Sequence, residues 1–460
     1  MTIYYSPNAG HPPDPDPEPP PTDPPPWAVV RHRRPARVVA AVRRHVDLLT
    51  NSGSMMAATV VNSVLGFAYW WLAARAIPAE TVGAVSAAVS AMTVLGTLGM
   101  FGMGTLLVSE LPRLPTERRW SLVYACLVAA GVAAGLLALC WVTLTWYAVP
   151  ALRGPLATPD LAVLLVVATA LTAVALVLDE GLIGLLAGRF QLARNTYFSA
   201  GKLLALGALV LAGVRATEGQ LFATWIAGIL VSLPLLAVSL ARHGRLARAR
   251  PDFATLRRLH RRAVGHSLLN MALFLPRTAL PLVVAVVLSP RDAAGFYTAW
   301  MVNSFLAMVP SALATTLLAV AGGTAAAQRA KLRMALFVSV AAGLPAALAL
   351  AVLARPVMGL FGPEYAVTAG GALAVLALTY VPTVFRQLFV ALARVRGFLR
   401  TAIWVALLAG AAELTAAWYV GSRGDLTSFT IAFATVVAAE GVVMAPIVVR
   451  VALARPGGAA

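Results

Sequence analysis

Beyond residue 50 the chain consists of long, uninterrupted apolar runs. Twelve of them are long enough to cross a bilayer: 53–77, 82–109, 120–147, 160–188, 194–214, 219–241, 265–288, 292–325, 331–354, 364–393, 401–420 and 427–450. A span needs about 20 apolar residues, because ~30 Å of hydrocarbon is crossed at ~1.5 Å per residue. Hydrocarbon offers the backbone no hydrogen-bond partners, so only helices and closed barrels survive there. Barrel strands would alternate apolar and polar residues over about ten positions, and these runs do not. Several runs exceed the minimum and are expected to tilt or to extend past the membrane. Composition agrees: 60% of residues are hydrophobic and 12% charged, about half the charge of a soluble domain. The expected class is an all-α polytopic membrane protein with about twelve transmembrane helices.

The net charge of +18 is read from where the charges sit. Of the 36 Lys and Arg residues, 27 fall on the side shared by both termini, and five (Arg153, Arg215, Arg291, Arg355, Arg423) lie in the opposite loops. This asymmetry predicts cytoplasmic N- and C-termini. It accounts for the basic excess without a nucleic-acid partner. Trp146-Tyr147, Tyr365 and Trp418-Tyr419 fall at the outer ends of spans, as an interfacial belt requires. Four basic residues remain within or at the ends of spans: Arg75, Lys202, Arg277 and Arg386.

Residues 1–50 read as a cytoplasmic tail. Residues 1–27 hold eleven prolines and are expected to stay disordered with polyproline II bias. They lack the apolar core of a secretory signal. Six arginines in 28–50 are suited to anionic lipid. The longest basic loop, 242–264, divides an N-lobe (51–241) from a C-lobe (265–452). Pro78, Glu80 and Gly83 join spans one and two, and Pro290, Asp292 and Gly295 join spans seven and eight at a constant offset of 212. Proline in a first helical turn and an acid near the positive helix end have a local cause, so convergence would give the same pattern. Recurrence at the same span number favours duplication. The six-plus-six division then predicts two six-helix bundles related by a parallel pseudo-two-fold repeat.

Cys126 and Cys140 share one segment, about 21 Å apart if it is helical, too far to pair. No Cys/His spacing suggests a metal. There is no GxxxxGK[ST] phosphate loop, no HExxH, no outer loop above about 13 residues and no soluble catalytic domain. No catalytic residues, cofactor or enzyme activity are expected.

The residues Asn51-Ser52-Gly53-Ser54, Leu65-Gly66-Phe67-Ala68-Tyr69-Trp70-Trp71-Leu72-Ala73-Ala74-Arg75, the Pro78/Glu80/Gly83 turn and the series Gly96, Gly99, Gly102, Gly104 carry a family likeness. With the six-plus-six layout over about 50–452, the chain resembles the MOP/MATE-like superfamily, in its polysaccharide-biosynthesis branch of O-antigen-type repeat-unit flippases. The resemblance implies a central cavity, alternating access and an undecaprenyl-diphosphate oligosaccharide cargo. Such a protein would flip this lipid-linked glycan across the bacterial cytoplasmic membrane for cell-surface polysaccharide biosynthesis, beside glycan-assembly proteins. The Pro-rich tail departs from the family pattern, as does the lack of the two extra spans of peptidoglycan-precursor flippases. A MATE-like cation/drug antiporter is the alternative of the same fold. A non-transporting scaffold recruiting glycan enzymes through the tail is the alternative of another class.

Ionisable groups deep in a span face the bundle interior or a cavity. Asp179 and Glu180 lie in the cytoplasmic half of span four, and Lys202 at similar depth in span five. An acid–Lys202 pair is one reading; proton or sodium coupling by adjacent carboxylates is the other. Arg277 follows Pro276 mid-span, and Arg386 lies in the inner half of span ten. They either pair with Glu413 or Glu440, or form a cationic cavity for a lipid diphosphate, which guanidinium grips with two parallel hydrogen bonds. Lys202 and Arg75 join them as substrate-binding candidates, although snorkelling suits Arg75 equally. Asp179, Glu180, Glu413 and Glu440 are the ion-coupling candidates. Asn62, Asn270 and Asn303 read as interhelical hydrogen-bond formers.

Overall fold

A computed structural model describes residues 60–147, 159–308, 310–311, 313–314 and 325–453. The tail 1–50 lies outside them. The described chain is helical. In the N-lobe, α1 covers 60–76, α2 Ala79–Met100, α3 Met103–Glu110, α4 Thr116–Tyr147, α5 Pro159–Gly184, α6 Gly188–Leu211 and α7 Glu218–Arg242. In the C-lobe, α8 covers Phe253–Val287, α9 Pro290–Leu306, α10 Ala325–Val352, α11 Ala354–Gly359, α12 Pro363–Leu378, α13 Tyr380–Arg396, α14 Leu399–Gly421 and α15 Leu426–Leu453. Residues 253–264, read from sequence as linker, are already helical.

Every one of the twelve apolar runs is mostly helix over its described part, with short turns or breaks in several. Among the described residues eight helices are long and apolar enough to cross a membrane, and nine if the bent pair α12/α13 is one span. The other three runs hold α1 and α9, of 17 residues each, and α6, which carries Arg189, Arg194 and Lys202.

Local chemistry sets the ends. Ser289 caps α9 by accepting from the Asp292 N–H at 3.1 Å, with Pro290 in the first turn. Thr217 and Gln220 close a reciprocal capping box on α7. Asp252 caps α8 through the Thr255 N–H, which holds its carboxyl below the usual carboxylate range. Run 82–109 breaks at Phe101 and Gly102, both at positive φ, into α2 and α3. Run 364–393 bends by 47° at Thr379. Pro382 there has no N–H for the Leu378 carbonyl.

The two repeated turns start helices that meet. α2 packs on α9, and a Cβ on Gly83 would overlap the Pro290 carbonyl. Glycine is the residue that permits this approach. The core around that contact is common to both lobes. Tyr69, Trp70, Val85, Met92, Leu165 and Phe222 join Val284, Phe296, Phe361, Tyr365 and Phe429 in one cluster. Toward the basic loops the core divides. One cluster is formed by α3, α4, the ends of α5 and α7 and the first turns of α8. The other is formed by residues of α8, α10, α13, α14 and α15. The lobes are therefore joined in one core at the end of the 78 and 290 turns, and at the basic end the core is two clusters, with the first turns of α8 packed on the N-lobe.

Candidate functional site

The ionisable residues of the spans form one arrangement in each lobe. In the N-lobe, Asp179 near the end of α5 takes a two-pronged contact from Arg194 of α6, through Nε to Oδ1 and Nη2 to Oδ2. Asn195 closes the group, accepting from Arg194 at 3.1 Å and donating to Asp179 at 3.4 Å. This corrects two expectations. Asp179 pairs with Arg194 and not with Lys202. Arg194, read as a loop residue, is buried inside α6. Glu180 points the other way, half-buried against Gly104, with no ion-pair partner among the described residues.

Lys202 lies two turns beyond Arg194 and is 2% exposed. No carboxylate reaches it among the described residues. Its ammonium sits 3.7 Å from the Trp225 ring centre, 4.6 Å from Phe198 and 5.2 Å from Tyr69. The ring faces supply the negative potential that a desolvated cation needs. The cage reaches the other lobe. Trp225 packs on Trp70, whose ring is 4.6 Å from that of Tyr297 in α9.

In the C-lobe four charges form one network. Arg386 Nη1 donates to Glu413 at 3.1 Å and to Glu440 at 3.4 Å, and Arg277 Nη2 donates to Glu413 at 3.5 Å. Glycines beside the acids explain the assembly. A Cβ on Gly410 would overlap Pro276, so α14 comes close enough to α8 for Glu413, one turn on, to reach Arg277. Gly441 lies as tightly against Pro382, which sets neighbouring Glu440 beside Arg386. The network is not fully satisfied. Glu440 Oε1 and Arg277 Nε are buried without a partner.

Arg386 also opens onto a cavity of about 220 Å³ between α8, Ser311 and Ala314, and α13. Its polar lining is Arg386, Gln387, Arg394 and Ser311, with no carboxylate among the described residues. Arg394 donates to Asn270 at 2.6 Å. Arg394 and Gln387 were not singled out in the sequence. Arg394 counted as a loop cation, yet it lies eight residues from Arg386, on the same helical face. That spacing was the available signal.

The fourth cationic candidate is elsewhere. Arg75 is exposed, and its Nε donates to the Leu360 carbonyl at 2.9 Å, beside Trp71 Nε1 at 3.0 Å. It ties α1 to the C-lobe at the joined end. Asn62 accepts from Ser199 at 2.6 Å, linking α1 to α6 as an interhelical glue residue should. Cys126 and Cys140 are both free. No group of three His, Cys, Asp or Glu side chains suited to a metal ion occurs among the described residues.

No sequence pattern of a known family matches the chain, and no curated protein matches it in sequence. Solved structures do match. An inward-facing multidrug resistance MATE family transporter of the MOP superfamily superposes with a TM-score of 0.66 at 12% identity, over 86% of this chain and 98% of that one. The lipid II flippase MurJ, in an inward closed conformation, gives 0.61 at 12% identity, over 87% and 90%. An outward-facing MATE family transporter gives 0.53 at 16% identity, over 88% and 95%. The chain has the fold of the MOP-superfamily transporters: two six-helix bundles in parallel repeat.

Proposed function

We propose that this protein is a transporter, not an enzyme, and that it flips a lipid-linked oligosaccharide carried on an undecaprenyl-type diphosphate across the cytoplasmic membrane by alternating access. The product would feed cell-surface polysaccharide assembly. The observation that carries this reading is the cavity lined by Arg386, Arg394 and Gln387, with no carboxylate in its lining among the described residues. Arg386 shares its charge with Glu413 and Glu440, so the pull on an anion comes chiefly from Arg394, with the guanidinium of Arg386 beside it. A diphosphate diester offers the paired oxygens that their planar donors match. Lys202, with no carboxylate in reach among the described residues, is a further nitrogen donor within the N-lobe. Arg75 latches the lobes at the closed end and stands outside the binding cavity. The positive-inside rule puts the basic loops and both termini in the cytoplasm. The end with two core clusters then faces the leaflet in which such a cargo is made. The likeness to a lipid II flippase supports the cargo class. The likeness to MATE multidrug transporters keeps drug antiport as the competing outcome.

The test is a leaflet-accessibility assay in proteoliposomes with a labelled diphosphate-linked sugar lipid. Wild type should move the label, and Arg386→Lys should slow it by about tenfold or more, since a charged hydrogen bond of ~1.5–3 kcal/mol is lost. Equal transport by Arg386→Lys and Arg277→Lys, or efflux of cationic dyes in place of the lipid, would overturn the reading. Deleting residues 1–27 should leave flipping in place; a scaffold that recruits glycan-assembly proteins through the tail would lose its function.

A further inference from the structure

We propose that the cleft between the basic ends of α10, α13 and α15 binds the headgroup phosphate of an anionic phospholipid from the adjoining leaflet. The site is separate from the cargo cavity and does not depend on what the cargo is.

The C-lobe lacks negative charge at this end. Its segments 310–337, 388–405 and 445–460 carry eight Lys and Arg residues and no Asp or Glu. At the same end of the N-lobe, acids answer the arginines. Glu110 pairs with Arg113 at 2.9 Å, and Asp252 lies near Arg118. The C-lobe cations have no such answer in their own segments, and a membrane surface rich in anionic lipid supplies one.

Two of these cations stand at a defined place. α10, α13 and α15 pack on one another. Between them lies a narrow cleft lined by Arg329, Arg396, Leu332, Leu392, Val395 and Val451. Leu332 and Leu392 are buried and form its floor, Arg329 is half-buried, and Arg396 is exposed at the rim. Neither guanidinium has an ion-pair partner among the described residues. The enclosed space is about 10 Å³, room for one water-sized group. A phosphate seats one oxygen there and keeps its ester groups at the surface, with guanidinium donors matched to its other oxygens.

α13 divides this cleft from the cargo cavity. Arg386, Gln387 and Arg394 line the cavity, whereas Leu392, Val395 and Arg396 line the cleft. Two residues along a helix turn the side chain by about 200°, so Arg394 and Arg396 serve opposite sides.

The surroundings suit a lipid better than a soluble anion. Arg329, Arg333 and Phe337 recur every four residues along one face of α10. Phe337 is 72% exposed and Met334 64%, on a helix long and apolar enough to cross the membrane. Phe337 lies about 12 Å deeper than Arg329, so an acyl chain descending from a phosphate at Arg329 runs over it. The acidic run Asp14-Pro15-Asp16-Pro17-Glu18 of the tail matches the charge but brings no apolar chain to this face.

The test is native mass spectrometry of the full-length protein in detergent with added phosphatidylglycerol. Wild type should retain one phosphatidylglycerol about tenfold better than phosphatidylcholine. Arg329→Gln/Arg396→Gln should weaken that retention about tenfold or more, through loss of two charged hydrogen bonds. Lys331→Gln/Arg400→Gln removes the same charge outside the cleft and should change it by no more than about twofold. Equal losses in the two double variants would reveal a diffuse basic surface and overturn the site. Displacement of the lipid by inorganic phosphate at equal concentration would show a soluble-anion site, and tighter retention after deletion of residues 1–27 would give the cleft to the tail; either result overturns the lipid. Photoactivatable phosphatidylglycerol on the wild type should label 325–337 and 392–396, and this readout stands even where a variant fails to fold. Labelling spread evenly over both lobes refutes the site, and each of these failures leaves the cargo reading intact.

Discussion

The N-lobe settles its buried charges one by one, whereas the C-lobe shares them. Asp179 and Arg194 form a closed pair with Asn195, and Lys202 is stabilised by ring faces alone. In the C-lobe two arginines and two glutamates from four helices depend on one another, and one arginine also faces a cavity. One duplicated fold thus holds two electrostatic designs. A closed pair in which both carboxylate oxygens of Asp179 are taken by Arg194 acts as a lock between α5 and α6. A network with a half-used carboxylate and a cation turned to open space is able to change partners. Buried charge alone does not mark function. What marks it is incomplete pairing beside a cavity.

The contrast can be broken most forcefully at the lock. Asp179→Ala strands a buried guanidinium and should cost about 3–5 kcal/mol in unfolding stability. The double variant Asp179→Ala/Arg194→Leu should recover most of it. By contrast Glu440→Gln should cost no more than about 1–2 kcal/mol, because Arg386 keeps Glu413. Thermal unfolding in detergent reads both, and equal losses in the two lobes would erase the distinction. An Asp179→Asn protein that folds yet loses pH-dependent transport would place ion coupling in the N-lobe.

The next effect concerns Lys202. Trp225→Leu should destabilise the wild type by about 1–2 kcal/mol through loss of the cation–π contact. The same change in a Lys202→Met background should cost measurably less, and a double-mutant cycle isolates the difference. Lys202→Met itself should fold at least as well as wild type, since the desolvation of a buried ammonium with no carboxylate partner among the described residues outweighs what the ring faces return. If it also slows transport, Lys202 acts on cargo and not on stability. The smallest effect belongs to the latch. Arg75→Gln removes one hydrogen bond to the Leu360 carbonyl, worth about 1 kcal/mol, and should raise the population open at the joined end about fivefold. Distances between spin labels across the 78 and 290 turns measure it, and an unchanged distribution would show that the latch carries no weight.

Much of this was legible in the chain. The twelve runs hold helix because length and apolarity are local properties. The Pro78/Glu80/Gly83 and Pro290/Asp292/Gly295 turns could be matched from sequence because proline and acidic helix starts obey local rules. Those turns also carried more than the repeat. Gly83 is small because α9 lies on it. The pairing of Arg277 and Arg386 with Glu413 and Glu440 was one of two open readings, and the structure shows that pairing. Arg386 also lines a cavity. The acid–Lys202 pair, one of two readings, does not form among the described residues, because equal depth in two spans says nothing about which faces of the helices meet. Arg194, nearer the membrane surface in sequence, had the right face.

The sequence by itself determined the solvent, the spans and the charge asymmetry of the loops, since each follows from the apolarity and charge of neighbouring residues. Tertiary structure decided the partners: Arg194 for Asp179, three rings for Lys202, two acids for Arg386, and a backbone carbonyl for Arg75. Those choices depend on how helices rotate and how closely they approach, and that is fixed by contacts such as Gly410 on Pro276 and Gly441 on Pro382, between residues far apart in the chain.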